Sequence, residues 1–142
     1  MSDILRWSAV ETAAHIRSKD VSITEVTQAH LTRMARANPA LNAITHVIDG
    51  ALELAKSMDA GRVPEDASPL FGVPVTVKVN IDMAGYPNTN GVPAFKEMTG
   101  PSDSPVTANL KSSGAVIIAR TNTPEFSMRW STSNPLHGVS LN

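Results

Sequence analysis

Two strand-like segments separated by one helix constrain the fold of this chain more than any other feature. The first segment, Val73 to Ile81, alternates apolar and polar residues, which is typical of a β-strand. The second, Ala115 to Ala119, is a continuous apolar run, as expected for a strand that is covered on both faces. Between them, Ser104 and Pro105 give a helix start, with serine as N-cap and proline at the first helical position. A strand, a helix and a buried strand in this order predict a right-handed parallel crossover, and therefore an α/β fold.

The residues before this unit predict helices. Two capping boxes mark helix starts, because in each a serine is followed three residues later by a glutamate: Ser8 with Glu11, and Ser22 with Glu25. The first helix is expected to run from about residue 9 to 18. Its apolar face is expected to hold Val10, Ala13, Ala14 and Ile16. The second helix is expected to run from about residue 23 to 37, where Asn38–Pro39 should stop it.

A short strand over residues 43–48 and a third helix that follows Asp49 and ends at Gly61 are expected next. A polar loop that contains a proline follows. Residues 83–104, after the alternating strand, carry closely spaced glycines and prolines and should form an irregular loop.

Composition excludes several classes of function for these 142 residues. A net charge of −1 gives no basic surface for nucleic acid, and the absence of cysteine excludes disulfides, thiolate metal sites and a cysteine nucleophile. The four histidines show no metal-ligand spacing, and no glycine-rich phosphate loop is present. The first 20 residues do not resemble a secretory signal, and no run of about 18 apolar residues could span a membrane. We therefore expect a soluble cytoplasmic protein.

Lys78 lies on the polar face of the alternating strand and has two interpretations. It is either a solvated side chain, as on an edge strand, or a buried amine that is used in chemistry. The second is supported by the short polar residues Thr76, Asn80 and Asp82 on the same face. It is also supported by the long loop after the strand, since ligands bind beyond the carboxyl ends of strands in open α/β sheets. A buried lysine tends to lose its proton, and a neutral lysine can act as a general base toward a serine hydroxyl. The spacing alone leaves both interpretations open.

Three blocks of the sequence, in order, resemble the first part of an amidase signature enzyme. They are "PLFGVPVTVKVNIDMAGYPNTNG", "DSPVTANLKSSGAVIIARTNTPEF" and "TSNPLHGVSLN". The helical opening, "SAVETAAHIRSKDVSITEVTQAHLTRMARANPALNAI", is similar to that family as well. The resemblance implies N-terminal helices followed by the first strands of a mixed, largely parallel sheet covered by helices. Residues 1–62 would be a helical segment that packs on the core, and residues 63–142 would be the first part of the α/β core.

The resemblance implies hydrolysis of a carboxylic amide by a serine, a bridging cis-serine and a lysine. Lys78 matches the family's lysine, which activates the nucleophilic serine for attack on the amide carbonyl, so that an acyl-enzyme forms. No metal or organic cofactor is implied. The family commonly has aspartate after this lysine, where Val79 stands here. Both serines belong to a Gly/Ser-rich block that follows "NPLHGVSLN" in the family. The isolated 142 residues are therefore expected to be inactive.

Residues 126–130 match a segment that lines the acyl channel in the family, so Ser127 and Trp130 are candidates for substrate binding. The partners implied are a small amide substrate and the remaining part of the enzyme, and a homodimer through the N-terminal helices is open.

Two alternatives stay open. One is an amidase-derived module that binds a partner or a small amide without catalysis. The other is a structural α/β domain in which Lys78 is solvated.

Overall fold

The computed structural model describes residues 4–141. In chain order the elements are α1 (Ala9–Ser18), α2 (Ile23–Leu41), β1 (Ile44–Val47), α3 (Ala51–Ala60), β2 (Pro74–Lys78), α4 (Pro105–Ser112), β3 (Val116–Thr121), β4 (Ser133–Asn134) and β5 (Gly138–Val139). Short 3-10 turns lie at Ile4–Arg6, Pro93–Phe95 and Glu125–Ser127. None of the helices in the described part is both long enough and apolar enough to cross a bilayer.

The central sheet has the strand order β1-β3-β2 and confirms the predicted α/β class. Strands β2 and β3 are parallel and are joined through α4, as the crossover pattern predicts. Strand β1 pairs antiparallel with the other side of β3, so the sheet is mixed. Strands β4 and β5 form a separate two-stranded hairpin after β3.

Helix starts agree with the sequence. Both capping boxes are present, since Ser8 and Ser22 each accept the N–H of the glutamate three residues on, and each glutamate accepts the serine N–H. Ser104 caps α4, and Pro105 is its first residue.

The predicted end of α2 was wrong, because the helix continues through Pro39 to Leu41. A proline in the last turn removes one helix hydrogen bond but leaves the others intact. Asn42 ends the helix instead, in the left-handed conformation, and its N–H donates to the Asn38 carbonyl at 2.7 Å. The Asn38 side chain bonds both the N–H and the carbonyl of Ile44, which fixes the path into β1.

The predicted apolar face of α1 was half wrong. Ala13 and Ile16 are buried, whereas Val10 is 79% exposed and Ala14 is exposed. The face of α1 that packs on the rest of the molecule is narrow, and the buried Thr12 also belongs to it.

The core lies between the helices and the sheet, and it includes consecutive residues of β3. It is formed by buried residues of α1, α2, α3, β2 and β3, among them Ile16, Val26, Ala55, Val77 and Ile118. Strand β3 is buried along Val116 to Arg120, as its continuous apolar pattern predicts for a central strand. The alternating strand is shorter than predicted, because the chain turns after Lys78.

Candidate functional site

Lys78 ends β2 directly beside the end of β3. Its register partner is Thr121, the last residue of β3. Because the strands are parallel, their carboxyl ends meet at the same edge of the sheet, where ligands bind in open α/β folds. The Lys78 side chain is half-buried. No hydrogen bond or ion pair to its ammonium occurs within residues 4–141, so the amine is available to a further group.

A tight turn follows Lys78. The N–H of Ile81 donates to the Lys78 carbonyl at 3.0 Å, which closes the turn over residues 78–81. The N–H of Val79 donates to the Thr121 carbonyl at 2.9 Å, which ties the turn to β3. Val79 is fully buried, so its side chain packs into the protein as expected for the face opposite Lys78. These bonds fix the backbone directly after Lys78.

Arg120, which no sequence pattern singled out, lies in this region. Its guanidinium Nη2 donates to the carbonyls of Lys78 and Ile81, at 3.2 and 2.6 Å. Arg120 is fully buried, and burial lowers its pKa while the nearby Asp82 carboxylate raises it. The guanidinium Nε and Nη1 have no hydrogen-bond partner among residues 4–141. The signal for this residue was a charge placed directly after the apolar run Ala115 to Ala119.

The loop after β2 is anchored at its start. The Asp82 carbonyl accepts the Thr107 hydroxyl at 2.7 Å and the Ser104 N–H at 3.0 Å, which attaches the loop to α4. The Asp82 carboxylate accepts the side-chain amide of Asn88. The Asp103 carboxylate accepts a hydrogen bond from the Lys111 ammonium at 2.7 Å and another from the N–H of Ala84. These bonds lower the pKa of Asp103. Of the predicted polar row, Asp82 is therefore hydrogen-bonded within the protein, whereas the buried side-chain oxygen of Asn80 has no partner among residues 4–141.

The segment after β3 is held by a buried amide network. The side-chain amide of Asn134 donates to the Asn122 side-chain oxygen at 2.8 Å and to the Thr123 carbonyl at 2.7 Å. All three residues are buried, so these bonds fix the chain beyond β3.

The two loops that leave the sheet edge also contact each other. The N–H of Phe126 donates to the Asn90 carbonyl at 3.0 Å. The Thr89 hydroxyl lies 2.9 Å from Nε2 of His137, whose pKa is lowered by burial. The loops therefore form one surface at the edge where β2 and β3 end.

Ser127 and Trp130, the two residues predicted to bind substrate, lie on this second segment and are exposed. The Ser127 hydroxyl is 2.7 Å from the Thr123 hydroxyl. Ser127 and Phe126 both adopt positive φ, at 58° and 51°, which is strained for residues with a side chain. Trp130 is fully exposed, so nothing among residues 4–141 covers it. No hydrogen bond in the described part joins Ser127 to Lys78.

Other candidate sites are not supported. Within residues 4–141 no group of three or more His, Asp or Glu side chains is arranged to hold a metal ion. A cavity of about 380 Å³ lies where α1 turns into α2, beside the end of α3. Its lining includes Val21, Met58 and Arg62 but none of the residues around Lys78, so we assign it no part in this site.

The chain is similar to known amidases. A family model described as Amidase matches residues 25–142. An indoleacetamide hydrolase of Bradyrhizobium diazoefficiens is 51% identical over 143 residues, which cover 98% of this chain and 27% of that protein. A glutamyl-tRNA(Gln) amidotransferase subunit of Acidothermus cellulolyticus is 40% identical over 144 residues, which cover 100% of this chain and 28% of that protein.

The chain is also similar to solved structures of amidases. The native peptide amidase of Stenotrophomonas maltophilia superposes with a TM-score of 0.83 at 26% identity, over 95% of this chain and 29% of that one. The chain therefore spans less than a third of the length of each of these proteins.

Proposed function

This chain belongs to the amidase family, and we propose that it is the N-terminal part of a hydrolase that cleaves a carboxylic amide to an acid and ammonia or an amine. The observation that carries the proposal is the position of Lys78. It is half-buried at the carboxyl edge of two parallel strands, and no carboxylate within residues 4–141 pairs with it. A lysine that only stabilised the surface would be expected to be solvated or to have an acidic partner.

In the proposed mechanism, Lys78 takes a proton through a bridging cis-serine from the nucleophilic serine. The serine oxygen attacks the amide carbonyl, and the nitrogen leaves as ammonia or an amine after protonation. Water then hydrolyses the acyl-enzyme. Both serines are expected in the part of the enzyme outside these 142 residues. We infer no metal or organic cofactor for this reaction.

For the substrate class, we propose a primary amide of an aryl acetic acid. The support is the 51% identity with a protein named indoleacetamide hydrolase, compared with 40% for the amidotransferase subunit. Ser127 and Trp130 are proposed to contact the acyl part of this substrate. Their support is position, since both lie on the segment that follows β3 at the same edge of the sheet as Lys78.

The proposed assembly is a homodimer through α1 and α2. The exposed Val10 on α1 is compatible with such a contact. Light scattering of the full-length protein tests this assembly. The division of the chain at residue 62 and the cytoplasmic location also stay predictions, which limited proteolysis and cell fractionation would test.

The full-length enzyme tests the proposed function directly. Ammonia release from indole-3-acetamide, and from a panel of other amides, should be measurable for the wild type. Lys78→Ala should reduce kcat by at least about a hundredfold, the usual size of a general acid–base contribution, with the melting temperature retained. Lys56→Ala is the matched control, because Lys56 is exposed on α3. Near-normal turnover by Lys78→Ala would remove Lys78 from the mechanism, and a folded protein without amide turnover would favour a non-catalytic binding module.

A further inference from the structure

A fully buried arginine holds the backbone of Lys78. Arg120 is the fifth residue of β3, and its register partners are Val77 on β2 and His46 on β1. It is the largest side chain with no measurable exposure in the described part of the chain. Its position is therefore in the middle of the sheet, immediately before the residue that pairs with Lys78.

The guanidinium bridges the two ends of the turn that begins at Lys78. Nη2 donates to the Lys78 carbonyl at 3.2 Å and to the Ile81 carbonyl at 2.6 Å. The Ile81 N–H closes the same turn on the Lys78 carbonyl. Hydrogen bonds from a charged donor are roughly twice as strong as neutral ones. The turn is therefore held more firmly than its backbone bond alone would hold it.

Arg120 holds the Lys78 backbone from the face of the sheet opposite the Lys78 side chain. Arg120 and Val77 are register partners and share one face, whereas Lys78 and Thr121 share the other because strand residues alternate. The Lys78 ammonium has no polar partner within residues 4–141, so its direction depends on where its own backbone is held. A contact that fixes this backbone also fixes where the amine can reach.

A role in packing alone does not account for an arginine here. Burying a guanidinium costs desolvation free energy, and buried ionic groups can often be replaced by apolar residues without loss of stability. Arg120 directly continues the apolar run of β3, where an aliphatic side chain would suit the core. Its Nε and Nη1 have no hydrogen-bond partner among residues 4–141, so in the described part the Nη2 bonds to the turn are its side-chain hydrogen bonds, and the nearby Asp82 carboxylate also offsets the cost.

We propose that Arg120 is a positioning residue for Lys78, which acts by holding the turn over residues 78–81 so that the amine keeps its reactive direction. This inference rests on the proposed function. It predicts that turnover requires the hydrogen bonds from Arg120 to the two carbonyls and does not require the aliphatic part of the Arg120 side chain. Arg120→Lys keeps a cationic donor, Arg120→Gln keeps a neutral donor, and Arg120→Met keeps an unbranched aliphatic side chain without a donor.

The experiment is a double-mutant cycle in the full-length enzyme, with kcat, KM and melting temperature measured for each variant. Arg120→Met should lower kcat by about tenfold or more and change KM by less than about twofold, since the residue acts on the reacting group and not on substrate. Arg120→Lys should recover most of kcat, and Arg120→Gln should lie between. In a Lys78→Ala background, Arg120→Met should have no further effect on turnover.

A second readout does not require activity. The rate at which an amine-specific reagent labels Lys78, followed by mass spectrometry, should rise at least about threefold in Arg120→Met as the turn loosens. Exposed Lys96 in the same digest is the internal control and should not change. If Arg120→Met does not fold, Arg120→Gln is measured in its place against Arg120→Lys.

The outcomes separate the two proposals. Unchanged kcat and unchanged Lys78 labelling in a folded Arg120→Met or Arg120→Gln enzyme would overturn the positioning role while leaving Lys78 as the base. An equal loss of kcat from Arg120→Met in the wild type and in the Lys78→Ala background would also overturn the positioning role, since the arginine would then act on stability alone. If Lys78→Ala is active, the proposed function fails, and the labelling rate still decides whether Arg120 holds the turn.

Discussion

Gly72 lies directly against the side chain of Ile23. A Cβ atom at Gly72 would be 2.7 Å from Cγ1 of Ile23, and the φ of Gly72 is +77°. Ile23 is the first residue of α2, and Gly72 lies two residues before the start of β2, so this contact joins the N-terminal helices to the strand that carries Lys78.

Gly72→Ala should therefore destabilise the protein through two effects. The left-handed backbone costs about 1–2 kcal/mol with a side chain, and overlap with the core adds about 1–3 kcal/mol. Gly85→Ala is the matched control, because Gly85 has a φ of +74° and open space around the added carbon. Thermal unfolding of the full-length protein should show a larger loss for Gly72→Ala than for Gly85→Ala. Equal losses would mean that the contact with Ile23 adjusts freely.

The start of α2 gives a second stability prediction. The Ser22 hydroxyl accepts the N–H of Glu25 at 3.1 Å, and the Glu25 carboxylate accepts the Ser22 N–H at 2.9 Å. Ser22→Ala removes one half of this capping box and should cost about 0.5–2 kcal/mol. Ser57→Ala, at an exposed position inside α3, is the control and should cause no loss. Urea unfolding checks both, and a neutral Ser22→Ala would mean that the cap contributes nothing.

Local patterns predicted the elements that surround the site. Alternation placed Lys78 on the polar face of its strand, and the helix between two strand patterns predicted that β2 and β3 are parallel. These signals work because they depend on neighbouring residues only. The end of α2 was not predicted, because the hydrogen bonds that Asn38 makes to Ile44 require the following strand to be in place.

The contacts of Arg120 could not be predicted from local sequence patterns. Its charge was visible at the end of an apolar run. Nothing in the sequence shows that its side chain reaches the backbone carbonyls of Lys78 and Ile81, which lie 42 and 39 positions earlier in the chain. That contact exists only after β2 and β3 pair. Similarly, Val10 was placed on the apolar face of α1 by spacing, whereas tertiary packing covers only a narrower part of that face.

The proposed substrate contact of Trp130 predicts a change in binding. Trp130→Ala should raise KM about tenfold and leave kcat within about twofold, because loss of a ring that contacts substrate and transition state equally removes uniform binding. Leu54→Ala is the control, since Leu54 is exposed on α3 and lies outside this site. Steady-state kinetics of the full-length enzyme with an aryl acetamide check the effect. An unchanged KM would exclude Trp130 from substrate binding.

Two half-buried histidines predict how stability changes with pH. Burial lowers the pKa of His30 and of His137 below their usual value of 6.5. As the pH falls through about 6.5, the unfolded chain therefore takes up protons that the folded chain does not, and the free energy of unfolding decreases. The loss is complete once the pH is below the pKa of each histidine in the folded state. Acidification should thus destabilise the wild type over this range.

The variants His30→Gln and His137→Gln remove this penalty one histidine at a time. The stability of the wild type relative to each variant should fall as the pH is lowered from about 7.5 to about 5.5, measured by urea unfolding at close intervals. Glu25→Gln is the control, because hydrogen bonds from Ser22 lower the pKa of Glu25 below 4.5, and its contribution is lost only at more acidic pH. A relative stability of His137→Gln that stays constant over this range would show that His137 takes up its proton equally well when folded.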